Sequence, residues 1–425
     1  MDSTVKNNKP RIFYGWYIVI AVFFANWMGA GIGVPVFGLF FKPMSSDLGW
    51  NRAITTVPLV MRNALAQFTG PIIGPMVDKY GPRYLMTIGA IIAGVGTMLM
   101  SQTNSVWQFF LFFSIIGAIG NAGLSHIVTN TAIAKWFIEH RGRATGLAAT
   151  GINVGEAVMT PLIHVLITTI GWRGTWVIMG LVPWLIIAPS SYLLMRRSPE
   201  DMGLKPDGDI KPAQHSASAT KPTPRLEEPI WTPSEAFRTP TLWLLLGAIS
   251  LGNLSVSGVL THQIPYLTDN GLSPGMAALT LTTYAIFAIP SKILWGFLSE
   301  KIHIRYLGSI CLIGSSIGLI ILINADTNTK ALSFGVVYGL TRGSWAVVQS
   351  LLWADYFGRH FLGSIRGYTA PFQLISWLGG PIFAALVFDT TGSYAYAFML
   401  FIASYILGAV MVLIASPPRT MLAHN

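Results

Sequence analysis

Long apolar runs alternate with short polar segments along almost the whole chain. Many runs exceed the ~18 residues needed to cross a bilayer. Backbone polar groups find no water in lipid, so these runs are predicted to be helices. The pattern predicts twelve spans, at 13–41, 53–77, 84–101, 107–134, 144–169, 174–195, 241–268, 275–298, 304–324, 331–354, 363–388 and 394–416.

A polar motif occurs twice in this pattern. Gly74–Arg83 reads GPMVDKYGPR and Gly296–Arg305 reads GFLSEKIHIR, and the glycine, acid and arginine of both copies align at one offset, 222. Trp136-Phe137 and Tyr356-Phe357, like Pro161 and Pro381, align at an offset of 220. The duplication predicts an all-α membrane protein of two pseudo-symmetric six-helix bundles, the architecture that alternating access requires.

The polar segment 196–240 divides the chain into an N-terminal bundle (1–195) and a C-terminal bundle (241–425). Its Pro, Ser, Thr, Lys and Asp content is typical of a flexible linker. Near its end, Thr232 has the position of an N-cap, Pro233 of the first helical residue and Glu235 of its capping-box partner. We therefore expect a short amphipathic helix on the membrane surface, with an unstructured tether as the alternative.

The composition agrees with lipid as the main solvent. The chain has 425 residues, of which 52% are hydrophobic and 10% charged, whereas soluble domains carry about 25% charged residues. The single cysteine, Cys311, excludes an intrachain disulfide and a cysteine-based metal cluster. The polar N-terminus has no cleavable signal pattern, so we expect the first apolar run to stay as a span.

The basic residues predict the orientation. With the N-terminus inside, twenty Lys and Arg fall on inside segments and four on outside segments. The imbalance predicts a multi-pass protein of the cell membrane with both termini in the cytoplasm. It also accounts for the net charge of +10 without a nucleic-acid partner.

The repeated motif resembles the loop between helices 2 and 3 of the major facilitator superfamily and its weaker copy between helices 8 and 9. Within that superfamily the chain is similar to the monocarboxylate porters and the oxalate:formate antiporters. The residues that carry this similarity are Tyr14-Gly15-Trp16, Phe40-Phe41-Lys42, Lys135-Trp136-Phe137, Arg141–Ala148, Glu235–Pro240 and Leu242–Leu245. The resemblance implies the fold of that superfamily. It also implies transport of a small organic anion by a monomer that needs no cofactor or metal.

The resemblance also implies gating residues. Asp78 and Arg83, with their copies Glu300 and Arg305, stand where a carboxylate and basic groups latch one helix pair to its neighbour. The alternative is a purely topological turn held by Gly81-Pro82 and the inside charges.

Ionisable residues inside the predicted spans are few, and each is costly unless it meets water, a partner or substrate. Arg342 lies near mid-membrane, where its guanidinium suits a carboxylate; a buried ion pair with Glu156 is the alternative. Lys292 stands where relatives are implied to carry an essential arginine; a snorkelling lysine is the alternative. The full set is Arg62, His126, Glu156, His164, His262, Lys292 and Arg342.

His126 stands where oxalate transporters are implied to carry a tyrosine ligand, and Tyr338 and Arg342 match their spacing on helix 10. A structural histidine is the alternative for His126. Arg62, Trp345 and Asn26 complete the predicted binding set. Departures from the family make oxalate a doubtful substrate, because Val34–Phe37 is apolar and no lysine stands near Pro371.

Three residues are proton-carrier candidates: Glu156, because burial favours a protonated carboxyl, and His126 and His262, because imidazole titrates near neutrality. His262 could instead be part of an outer gate. The chain contains no phosphate-binding glycine loop, metal-ligand spacing or nucleic-acid module. We therefore expect a proton-coupled secondary transporter of monocarboxylates. The alternatives are a proton-independent anion exchanger, an exporter of amphipathic or aromatic compounds, and a non-transporting membrane sensor.

Overall fold

The computed structural model describes residues 12–31, 34–50, 52–208 and 228–418, and these parts of the chain fold into helices and connecting turns. Eight helices among them are long and apolar enough to cross a membrane. The other spans are interrupted by turns or kinks. Together they form the twelve-span, two-bundle architecture that the sequence predicts.

The first bundle contains α1 to α6. α1 comprises Gly15–Gly31 and Val34–Leu48, and α2 comprises Arg52–Phe68 and Gly70–Tyr80. α3 is Pro82–Leu99, and α4 runs through Val106–Phe109, the π-helical Phe110–Ile116, Gly117–Gly123 and His126–Trp136. α5 and α6 share the run Arg141–Val182, divided at Gly171, and α6 continues through Pro183–Ile187 and Ala188–Leu194.

The second bundle contains α7 to α12. These are α7 Pro240–Asp269, α8 Pro274–Leu298, α9 Ile304–Ile323, α10 in two pieces (Asn328–Arg342 and Trp345–Phe357), α11 Leu362–Thr391 and α12 Ala395–Ile414. Each bundle encloses its own apolar core, with Trp136 and Trp176 in the first and Trp345 and Trp353 in the second.

Some predicted boundaries need correction. The first span does not end at residue 41 but continues helically to Leu48. The fifth and sixth spans are joined without a loop, because only Gly171, with φ of 75°, departs from helical geometry between them. That positive φ suits glycine, which has no Cβ to clash.

Both described ends of the linker make specific contacts or form structure. The Asp207 carboxylate accepts three backbone hydrogen bonds from residues 138–140 of the loop that precedes α5. The short helix Pro233–Phe237 is present, and Thr232 and Glu235 form the predicted capping box. Residues 209–227 lie outside the described part.

The two bundles meet closely at the end of the molecule that carries the linker, here called the linker end. Glycines allow this approach: Gly70 and Gly74 of α2 lie against the backbone of Gly367 and Gly363 in α11. In pseudo-symmetric fashion, α5 lies against α8, where a methyl group on Gly296 would stand 2.5 Å from the Gly142 carbonyl. Larger side chains at these crossings would hold the bundles apart.

Candidate functional site

Two broken helices place the candidate site in the middle of the molecule. α4 is interrupted between Gly123 and His126, and α10 between Arg342 and Trp345. The breaks are pseudo-equivalent, since Gly123 and Gly343 are separated by the offset of 220. Interrupted helices at mid-membrane are a recurrent way to form a transport site.

Arg342 is buried without an acidic partner. Its side chain is 8% exposed, and Nε is sealed from solvent with no hydrogen-bond partner. Among the described residues it makes no salt bridge, and its one ring contact is Trp345, at 5.7 Å from Cζ to the centroid. Burying a charge is costly unless it is paired. The alternative ion pair with Glu156 is not formed in this structure.

Lys292 reaches from the second bundle into the first. Its Nζ donates to the carbonyl of Ala149, at 3.2 Å, and to Oδ1 of Asn153, both on α5. Its side chain is almost fully buried. It therefore points toward the other bundle instead of snorkelling to the membrane surface, and its partners there are neutral.

Glu156 and His126 lie within electrostatic reach of Lys292. Tyr284 of α8 is close enough to both Arg342 and Glu156 for their charges to act on it. Glu156 is half-buried and makes no salt bridge to the described residues, whereas His126 is exposed. The structure thus brings Arg342, Lys292, His126 and Glu156 into one region with an excess of positive charge.

Four other predicted residues also make contacts outside this region, although the ring of one of them, Trp345, lies beneath Arg342. The Tyr338 hydroxyl lies 2.7 Å from that of Tyr405 inside the second bundle. Trp345 is fully buried against α7 and α9, close to Gly252. Asn26 braces α1 to α5 through the Ala148 carbonyl, at 2.9 Å, and His262 stacks on Tyr394 and contacts the Pro381 carbonyl.

Arg62 lies apart from the central region. It is buried on α2, with Cζ 4.8 Å from the ring centroid of Phe113 on α4. His164, the remaining ionisable residue of the predicted spans, is exposed on α5.

Asp78 connects the two bundles at the linker end. Its carboxylate accepts hydrogen bonds from the backbone N–H groups of Gly363 and Ser364, at 3.1 and 2.7 Å, and from the Ser364 hydroxyl. Lys135 lies 3.7 Å away. Burial raises the pKa of the Asp78 carboxyl, and Lys135 and the Ser364 hydrogen bonds offset part of that rise.

Glu300 makes the pseudo-symmetric connection. Its carboxylate accepts from Nε of Arg143, at 2.7 Å, and from the Arg143 backbone N–H, at the start of α5. The other two gating candidates remain in their own bundles: Arg83 stacks on Tyr192 and Arg305 on Tyr306.

Several charged residues at the linker end were not predicted from the sequence. Glu228 binds Arg141 at 2.5 Å and Arg359 at 2.9 Å, and Arg359 also binds Glu200. Arg366 was counted with a loop but is buried in α11, where it donates to Ser350 and its charge reaches His126. A second repeat in the sequence marks the glycines at the two bundle crossings: Gly142 and Gly146 match Gly363 and Gly367 at an offset of 221.

Comparison with known proteins places this geometry in context. A sequence model described as Major Facilitator Superfamily matches residues 16–377 and 263–424. Monocarboxylate transporter 13 of Rattus norvegicus is 24% identical over 97% of this chain and 91% of its own length. The oxalate:formate antiporter of Oxalobacter formigenes is 22% identical over 68% of this chain and 64% of its own. A solved proton:xylose symporter superposes with a TM-score of 0.70 at 14% identity, covering 94% of this chain and 95% of its own.

Proposed function

The chain belongs to the Major Facilitator Superfamily of membrane transporters, and we propose that it carries small organic anions, with monocarboxylates as its substrates. The observation that carries this proposal is the guanidinium of Arg342, which has no acidic partner among the described residues, in a region where Lys292 lies within electrostatic reach of the half-buried acid Glu156. A substrate carboxylate supplies the negative charge that this region lacks.

In this proposal Arg342 holds the carboxylate through its planar fork, and Lys292 adds a point charge. Asn153 positions the Lys292 amine from the other bundle, so the amine is held in place for the substrate. Arg366 of the second bundle adds positive charge within electrostatic reach of His126 of the first bundle. Tyr338, Trp345 and Asn26 support the frame of the site.

The linker end corresponds to the closed gate of an alternating-access cycle. Asp78 and Glu300 each accept hydrogen bonds from the first turn of a helix in the opposite bundle, where the helix dipole favours negative charge. Opening that end requires both sets of hydrogen bonds to break. The distribution of Lys and Arg supports a cytoplasmic location for this end in the cell membrane, with the protein acting as a monomer.

We further propose that Glu156 carries a coupled proton, because it is an acid near Lys292 that makes no salt bridge to the described residues. Purified protein in liposomes should accumulate radiolabelled formate, acetate, pyruvate or lactate when the inside is more alkaline. Counterflow without any response to the pH gradient would indicate a proton-independent exchanger. Absence of uptake and counterflow for every carboxylate would refute the proposed function.

A further inference from the structure

Arg62 occupies a built environment in the first bundle that the central site does not use. Its guanidinium lies over the ring of Phe113, in the π-helical segment Phe110–Ile116 of α4. Its aliphatic stem fits where Gly117 has no side chain, since a Cβ at Gly117 would stand 3.3 Å from Cδ of Arg62. π-helical segments inside α-helices are frequent at functional sites.

The wall behind Arg62 is held in place. The Ser114 hydroxyl donates to the Pro58 carbonyl at 3.0 Å, which joins α4 to α2 one turn before Arg62. The Phe113 ring packs against Phe37, with centroids 4.5 Å apart, and against Trp176. The guanidinium therefore faces a fixed aromatic surface.

The charge of Arg62 is not balanced. Its side chain is 7% exposed and Nε is sealed without a partner, whereas the terminal nitrogens have no partner among the described residues but are not sealed. Two other stacked arginines have acids: Arg173 lies over Trp172 and binds Asp47, and Arg143 lies over Phe297 and binds Glu300. Arg83 and Arg305 stack on tyrosines without an acid among the described residues, but both are only partly buried. An aromatic face alone recovers only part of the desolvation cost of a buried charge.

Arg62 is separate from the central site. No charge of the described residues is near enough to act on its guanidinium, including those of Arg342, Lys292 and Glu156. Along its helix, Arg62 lies ten residues after Arg52, and Arg342 lies fourteen after Asn328. At 1.5 Å per residue, Arg62 is about 6 Å nearer the end opposite the linker.

We propose that Arg62 forms a second anion site, which binds a carboxylate before it reaches Arg342. The terminal nitrogens of the guanidinium, which are not sealed, hold the carboxylate, and the buried Phe113 ring positions the guanidinium. The inference rests on the proposed function, because it assigns the same class of substrate to a second position. It predicts that two carboxylates bind to one protein at saturation.

Equilibrium dialysis of the purified protein in neutral detergent, with radiolabelled formate, acetate and pyruvate, tests this stoichiometry. We expect two bound molecules per wild-type chain for at least one probe, one for Arg62→Gln, one for Arg342→Gln and none for the double variant. Arg238→Gln, which changes an arginine at the end of the short linker helix, should keep the wild-type ratio. Because Arg62→Gln removes an unpaired buried charge, it should fold.

The outcomes separate the two proposals. A wild-type ratio of one that Arg342→Gln abolishes overturns the second site and leaves the central site standing. A ratio unchanged by Arg62→Gln also overturns the second site, even if Arg342→Gln does not fold. Absence of binding to the wild type overturns both proposals. Added phosphatidylglycerol gives one further outcome. If it removes only the Arg62-dependent molecule, and unlabelled carboxylate does not compete for that position, the position would instead be assigned to a lipid headgroup.

Discussion

Asp78 of the first bundle accepts two hydrogen bonds from Ser364 of the second, one from its backbone N–H and one from its hydroxyl, each at 2.7 Å. The contact joins the C-terminal end of α2 to the first turn of α11. Because it links the bundles and not one bundle to itself, its strength contributes directly to the balance between the closed and open linker end.

Asp78→Ala should therefore shift the linker end toward the open state. Hydrogen bonds to a charged group contribute about 1.5–3 kcal/mol each, so the ratio of closed to open molecules should fall by about tenfold or more. Spin labels at positions 79 and 301, exposed in the two bundles, with Cys311 replaced by Ser, would report the distance. Asp201→Ala removes an exposed acid on the same side and should leave the distance distribution unchanged. Equal distributions in both variants would contradict the assigned role of Asp78.

Gly296→Ala should prevent close approach of α8 to α5. The added methyl would lie 2.5 Å from the Gly142 carbonyl, a backbone atom that cannot rotate away. The same spin-label pair should show a longer mean distance. Gly275→Ala is the matched control on α8, because nothing lies within 4 Å of the methyl it adds. A closed distribution in Gly296→Ala would show that the crossing tolerates a side chain.

Asn153→Ala should weaken substrate binding without abolishing transport. Asn153 holds the Lys292 amine from the opposite bundle, and loss of one charged hydrogen bond corresponds to a rise in KM of about tenfold. Initial uptake rates of pyruvate into liposomes, measured over a range of concentrations, check this. Asn324→Ala, at the end of α9, should behave as wild type. An unchanged KM in Asn153→Ala would mean that the lysine needs no such support.

The linker contact of Glu200 should depend on pH. Burial alone would raise the pKa of Glu200, but hydrogen bonds from its own backbone, Arg359 and Ser198 outweigh burial and lower it below the ordinary value. For an acid with a lowered pKa, the stabilisation is present above the ordinary value and is lost as the pH falls through the lowered one. The protection of residues 200–208 from hydrogen exchange, corrected for the intrinsic pH dependence of exchange, should fall only below about pH 4. Glu200→Gln should lack this transition, and a transition near pH 7 in the wild type would contradict the assignment.

The sequence predicted the architecture well because lipid imposes strong constraints. Helix length and the repeat at Asp78 and Glu300 follow from the apolar pattern and from local motifs. The partners of those acids did not follow, since Ser364 and Arg143 meet them only through contacts between bundles. Arg366 was assigned to a loop because a single charged residue at the boundary of a span gives no pattern that distinguishes a loop from a helix.

The direction of buried side chains was also beyond the sequence pattern. Tyr338 and Arg342 are one helical turn apart, yet the Tyr338 hydroxyl binds Tyr405 in the core and the Arg342 guanidinium has no acidic partner in the part of the chain that the structure describes. Asn26 belongs to the predicted binding set, but its side-chain amide donates a hydrogen bond to a backbone carbonyl on α5. Such differences depend on which neighbours the fold supplies.

The central claim is that Arg342 and Lys292 bind the transported carboxylate. Its most direct test is counterflow of radiolabelled pyruvate in liposomes containing the Arg342→Gln/Lys292→Gln variant, compared with Lys301→Gln/Lys330→Gln, which removes two exposed lysines. The account predicts that counterflow falls by at least about a hundredfold in the first variant and is retained in the second. Counterflow at the wild-type rate in the first variant, with equal protein inserted, would contradict it.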